Sequence, residues 1–90
     1  MSTHARYPDL RPAFQIADAL DNNNWEFTYT LLIQARKGNL ALVVWLTKAG
    51  NIRAVSFARD GQFVLTLTQS DRDKLARVLA IIESNGETTR

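Results

Sequence analysis

The sequence contains no cysteine, and its 90 residues include a single histidine, His4. Without thiols the chain has no disulfide framework, no thiolate metal ligand and no cysteine nucleophile. One histidine near a chain end cannot build a histidine metal cluster, and it argues against a Ser–His or Cys–His catalytic machine. We therefore expect a protein that binds no metal or cofactor and is not an enzyme.

Long apolar runs are also missing. The longest, Leu40–Leu46, spans seven residues, whereas a membrane-spanning helix needs about 20. The segment Met1–Pro8 has no apolar signal region. Together with the absence of cysteine, these features predict a cytoplasmic protein that does not associate with membranes.

Glycine and carboxylate patterns offer no second route to catalysis. The four glycines lie too far apart for a phosphate-binding loop. Most carboxylates fall at predicted helix starts or in turns, and Glu26 alone lies in a predicted strand without an acidic neighbour. General acid–base chemistry needs two carboxylates in one enclosed site, so we expect no catalytic pair.

What is present is the composition of a small globular domain. Apolar residues make up 46% and charged residues 22% of the chain, a balance typical of a folded protein. Ninety residues support one compact core. We predict a single domain over residues 1–90, with flexible tails at 1–9 and 87–90.

Helical patterns lie near both ends of the chain. Asp9 and Pro12 are helix-start signals, and they precede a helical spacing of apolar residues that predicts a helix over 11–21. Ser70 and Asp73 approach a capping box before a second apolar stripe, which predicts a helix ending near Ser84. That stripe consists of Leu75, Val78, Leu79 and Ile82.

The middle of the chain has the two-residue period of strands. From Trp25 to Arg36 apolar and polar residues alternate, and only Leu32 breaks the pattern. Three further strands are predicted over 40–48, 52–59 and 62–68. They are joined by turns at Lys37–Gly38 or its neighbour Asn39, at Gly50–Asn51 and at Asp60–Gly61. The predicted fold is therefore α+β, a four-stranded antiparallel meander flanked by an N-terminal and a C-terminal helix.

Two-residue turns also predict which residues share a face of the sheet. They pair Ile33 with Leu42, Val44 with Phe57, and Phe57 with Val64. One face then contains Phe27, Tyr29, Leu31, Ile33, Leu40, Leu42, Val44, Leu46, Val55, Phe57 and Val64. The opposite face contains Leu32, Val43, Trp45, Ala54, Ser56, Ala58, Phe63, Leu65 and Leu67.

Large apolar groups on both faces require cover on both sides, because a monomer rarely exposes a large apolar patch. Either each helix covers one face, or both helices cover the richer face and the other meets a second molecule. We favour a homodimer that acts as a protein-interaction module, an adaptor or inhibitor of a larger partner. Its predicted contact residues are Trp45, Val43, Phe63 and Leu65.

Trp45 is central to this choice. It lies under a helix as a core residue, or anchors a dimer, or contacts a partner or a nucleic-acid base. Large aromatic residues near the centre of an interface often dominate its binding energy.

Single-stranded nucleic acid is the alternative partner. Aromatic rings on a sheet stack on unpaired bases while basic side chains follow the phosphates. The candidate basic residues are Arg36, Lys37, Lys48, Arg53 and Arg59. They fall near predicted strand ends and turns, where basic residues more often solubilise a sheet edge.

Overall fold

The computed structural model describes residues 11–85. These residues form one five-stranded antiparallel sheet, with strands in chain order, and two helices. The elements are α1 (Pro12–Asn22), β1 (Glu26–Tyr29), β2 (Leu32–Lys37), β3 (Leu40–Leu46), β4 (Ile52–Arg59), β5 (Gln62–Leu67) and α2 (Lys74–Ser84). The α+β class, the antiparallel sheet and the flanking helices are confirmed. The predicted tails, and the signals at Asp9, lie outside the described residues.

The prediction of four strands is wrong by one. The long alternating segment from Trp25 to Arg36 forms two strands, β1 and β2, which pair with Tyr29 opposite Ile33. The chain reverses at Thr30–Leu31, where the Thr30 amide donates to the Leu32 carbonyl at 2.9 Å. The break in alternation at Leu32 marks this reversal.

Both helices pack on the same face of the sheet. One continuous core joins Ile16 and Leu20 of α1, Val78 and Ile82 of α2, and the inward side chains of the strands. Those strand residues are Ile33, Ala35, Leu40, Leu42, Val44, Val55, Phe57 and Leu67. The molecule therefore has two layers, and no helix of the described chain covers the second face of the sheet.

The predicted register is shifted by two residues in two hairpins. Ile33 lies opposite Val44, and Val44 lies opposite Val55. The turn after β2 is Gly38–Asn39, and the connection between β3 and β4 covers residues 47–51. Because side chains alternate with a period of two, an even shift leaves the faces unchanged, and Trp45 still lies opposite Ala54 on the outer side.

A β-bulge in β5 reverses the predicted faces of its last residues. The Asp60–Gly61 turn has the two positive φ angles expected, 57° and 81°, but the register shifts between Phe57 and Ala58. Val64 is the extra residue, so Leu65 lies opposite Phe57, on the helix side. The predicted positions of Val64, Leu65 and Leu67 are therefore wrong.

The helix boundaries differ from the prediction mainly at the start of α2. Pro12 opens α1 as expected, and Ser84 ends α2. However, α2 begins only at Lys74, and its N-cap residue, Asp73, has a φ of 54° and makes no side-chain capping bond. The predicted capping box is wrong, because the Ser70 hydroxyl instead hydrogen-bonds the Thr68 hydroxyl.

Candidate interaction surface

The face of the sheet opposite the helices is here called the open face. The register defines it as the outward side of β1–β5. On β2–β5 it contains Leu32, Gln34, Arg36, Ala41, Val43, Trp45, Ala54, Ser56, Ala58, Phe63 and Thr66.

Two aromatic side chains stand at opposite ends of the open face. Trp45 lies in the row formed with Leu32 and Ala54 and is 41% exposed. Phe63 lies at the far end of the strands, beside Ala58, and is 76% exposed. Neither α1 nor α2, the two helices within residues 11–85, covers either ring, so Trp45 is not a core residue under one of these helices.

Small residues occupy much of the surface between the two rings. The open-face positions of β4 are Ala54, Ser56 and Ala58, and Ala41 lies beside Ala58 on β3. Side chains this small leave a shallow strip along the strands, flanked by a larger ring at each end. A surface of this shape admits the side chains of a second sheet or a chain laid across it.

The structure groups three of the four predicted contact residues. Trp45, Val43 and Phe63 share the open face. Leu65 does not, because the bulge turns it toward the helices, where it packs against the core.

The five candidate basic residues divide between the two ends of the strands. Arg36, Lys37 and Arg59 lie at the end nearer Phe63, and only Arg36 belongs to the open face. The Lys37 ammonium donates to the Asn23 carbonyl at 2.8 Å, on the helix side. Lys48 and Arg53 lie at the other end, near Trp45. The sequence suggested this placement near strand ends and turns.

A concave site, here called the end cleft, lies beside Trp45. It opens between the β1–β2 turn and the β3–β4 loop and has a volume of about 410 Å³. Its lining consists of Arg11, Tyr29, Thr30, Leu31, Leu32, Trp45, Leu46, Thr47, Lys48, Gly50 and Arg53. Sequence reasoning missed Leu31 as a surface residue, because it placed Leu31 inside one uninterrupted strand.

The loop between β5 and α2 borders Trp45 on its other side. A second cleft there is lined by Trp45, Arg53, Ala54, Thr68, Gln69 and Ser70. The backbone amide of Thr68 donates to the Asp71 carboxylate at 2.7 Å. This hydrogen bond lowers the pKa of Asp71 below its ordinary value, because it stabilises the ionised carboxylate.

The described residues offer no metal centre, since residues 11–85 contain no group of three or more histidine, cysteine or acidic side chains arranged to hold an ion. Neither described helix has the length and apolar character needed to cross a bilayer. Comparisons with protein-family models, curated proteins and solved structures found no match. We therefore infer the function from the geometry of the open face and of the clefts beside Trp45.

Proposed function

We propose that this protein is a cytoplasmic protein-interaction module, an adaptor or inhibitor of a larger protein, whose open face is covered by a second copy of the chain. The observation that supports this is the placement of both helices on one side of the sheet. That placement leaves Trp45 and Phe63 exposed on the other side. Such large aromatic groups typically serve as anchors when an interface buries them.

The open face has a suitable size for a dimer. Five strands spaced about 4.8 Å apart, with about six residues each at about 3.4 Å per residue, project roughly 500 Å². Side-chain relief increases the accessible area, which brings it near the roughly 800 Å² per partner of a standard interface.

The pattern along β3 is self-complementary. Trp45 and Ala41 lie on the open face at equal distances on either side of Val43. A two-fold axis across the strands at Val43 would place Trp45 over Ala41 of the partner subunit. Large side chains would then face small ones, as in packed sheets whose inner side chains interdigitate.

The oligomeric state tests this proposal. Light scattering after size-exclusion chromatography should give a dimer mass for the wild type, and a monomer mass for Phe63→Ser and Trp45→Ser. Ala41→Trp should also give a monomer, because a second large ring would occupy the space that Trp45 needs. Leu31→Ser is the matched control, since Leu31 is exposed but lies in a turn away from the open face. A monomeric wild type at high concentration, or variants that remain dimeric, would refute the proposal.

Single-stranded nucleic acid is a second candidate occupant of the same face. The specific observation is that each aromatic end has an arginine: Arg36 on the open face at the Phe63 end and Arg53 beside Trp45. In a Trp25→Phe background, in which only Trp45 emits, an oligothymidine should quench fluorescence and lose affinity steeply with salt. The absence of quenching at low salt would remove this candidate.

A further inference from the structure

The end cleft combines exposed apolar side chains with positive charge. Its apolar lining consists of Tyr29, Leu31, Leu32, Trp45 and Leu46. Leu31 is the most exposed of these, at 87% of its surface, and lies at the tip of the β1–β2 turn. A leucine at a hairpin tip contributes nothing to the core. A partner that buried this side chain would gain the free energy of removing its apolar surface from water.

The charged residues of segment 11–85 that line the cleft are all basic. Arg11, Lys48 and Arg53 line it, and no carboxylate of residues 11–85 does. The Arg11 guanidinium also lies 4.8 Å from the centre of the Phe14 ring. Lys48 and Arg53 flank the apolar surface from the β3–β4 loop and the start of β4. Cations on a low-dielectric apolar wall attract carboxylates more strongly than they would in open water.

The β3–β4 wall of the cleft is preorganised. The Thr47 amide donates to the Asn51 carbonyl at 2.8 Å, and the Gly50 amide donates to the Thr47 carbonyl at 2.9 Å. The Ala13 amide in turn donates to the Gly50 carbonyl at 3.0 Å, which ties the loop to α1. A loop fixed in this way loses little conformational entropy when a ligand binds.

We infer that the end cleft binds a segment of another protein that carries leucine-like apolar side chains next to aspartate or glutamate. Two of the five apolar lining residues are aromatic, but Leu31, Leu32 and Leu46 are aliphatic and offer no ring on which a base can stack. This aliphatic majority favours a protein segment over nucleic acid. The concave shape favours inserted side chains over the flat surface of a membrane. This site goes beyond the proposed dimer, since its occupant is a different protein. It shares Leu32 and Trp45 with the open face, whereas Leu31 and Lys48 lie off that face.

A selection experiment identifies the class of ligand. Random peptides displayed on phage are selected for binding to the wild-type protein, and those that also bind the Lys48→Glu variant are removed. We expect enriched peptides to contain carboxylates beside leucine, isoleucine or phenylalanine. Enrichment of basic peptides, or of peptides without carboxylates, would overturn the assignment, and so would no enrichment.

Calorimetric titration of one enriched peptide, made synthetically, then locates the site. Lys48→Glu should weaken binding about tenfold or more, because it reverses a charge at the cleft. Leu31→Ser should weaken it by a similar factor through lost apolar contact. Arg59→Glu is the matched control for charge, since it lies at the opposite end of the strands, and it should bind like the wild type.

Four further measurements distinguish a peptide site in the end cleft from the dimer interface and from a site for nucleic acid or lipid. Phe63→Ser should keep peptide binding, and Leu31→Ser should keep the dimer mass, so failure of one proposal leaves the other measurable. Oligothymidine and vesicles of phosphatidylcholine with phosphatidylserine are titrated in parallel. If either binds with sensitivity to Lys48→Glu while the peptide does not, the cleft belongs to that other class and the inference is wrong.

Discussion

At the scale of single residues, Gly50 links the core to the end cleft. Its φ is +88°, and a Cβ atom there would lie 3.2 Å from Cδ of Arg11 and 3.7 Å from Cβ of Ala13. Gly61 has a similar φ of +81° but no atom within 4 Å of the same position. Both glycines have a positive φ, but only Gly50 has neighbouring atoms at the position of a Cβ. Comparing substitutions at the two sites therefore distinguishes the cost of backbone strain from the cost of a close contact.

We expect Gly50→Ala to destabilise the fold more than Gly61→Ala. Both substitutions force alanine into a left-handed conformation, which costs about 1–2 kcal/mol. Gly50→Ala must also displace the Arg11 side chain by a few tenths of an ångström, which adds about 1 kcal/mol, the lower end of the usual cost of overpacking. Urea unfolding of both variants measures the difference, and equal costs would show that Arg11 moves away freely.

At the scale of elements, most of the fold follows from periodicity, and the errors have definite physical causes. The faces of β3 and β4 were predicted correctly although the hairpin registers were not, because a two-residue slip preserves alternation. The β5 bulge is a one-residue insertion, which reverses every later side chain, and no residue type near Val64 marks it. The β1–β2 turn was missed because Thr30 and Leu31 are not typical turn residues.

The bulge makes opposite predictions for two neighbours in β5. Leu67 is 1% exposed, so Leu67→Ala should cost about 2–5 kcal/mol of unfolding free energy. Val64 is the unpaired, exposed bulge residue, so Val64→Ala should cost less than about 0.5 kcal/mol. Chemical denaturation of both variants tests the register. If Val64→Ala cost more unfolding free energy than Leu67→Ala, Val64 would be the buried residue, and the register without a bulge would be correct.

At the scale of the whole molecule, residues 11–85 form more apolar sheet than their two helices cover. The two eleven-residue helices contact each other and share one core. They bury the inward sides of the strands and leave the outward sides of β3, β4 and β5 to water or to a partner. The sequence revealed both apolar faces, but it left open whether the helices divide between them, because periodicity within an element does not specify its packing partner.

If a second copy covers the open face, folding and association are linked, and the thermal midpoint should depend on protein concentration. A tenfold increase adds about 1.4 kcal/mol per dimer, which corresponds to a rise of about 3–5 °C when two chains of this size unfold together. Phe63→Ser should show a midpoint that does not change with concentration, whereas Leu31→Ser should follow the wild type. Scanning calorimetry over a wide concentration range measures all three, and a constant wild-type midpoint would mean that the chain folds alone with its second apolar face in water.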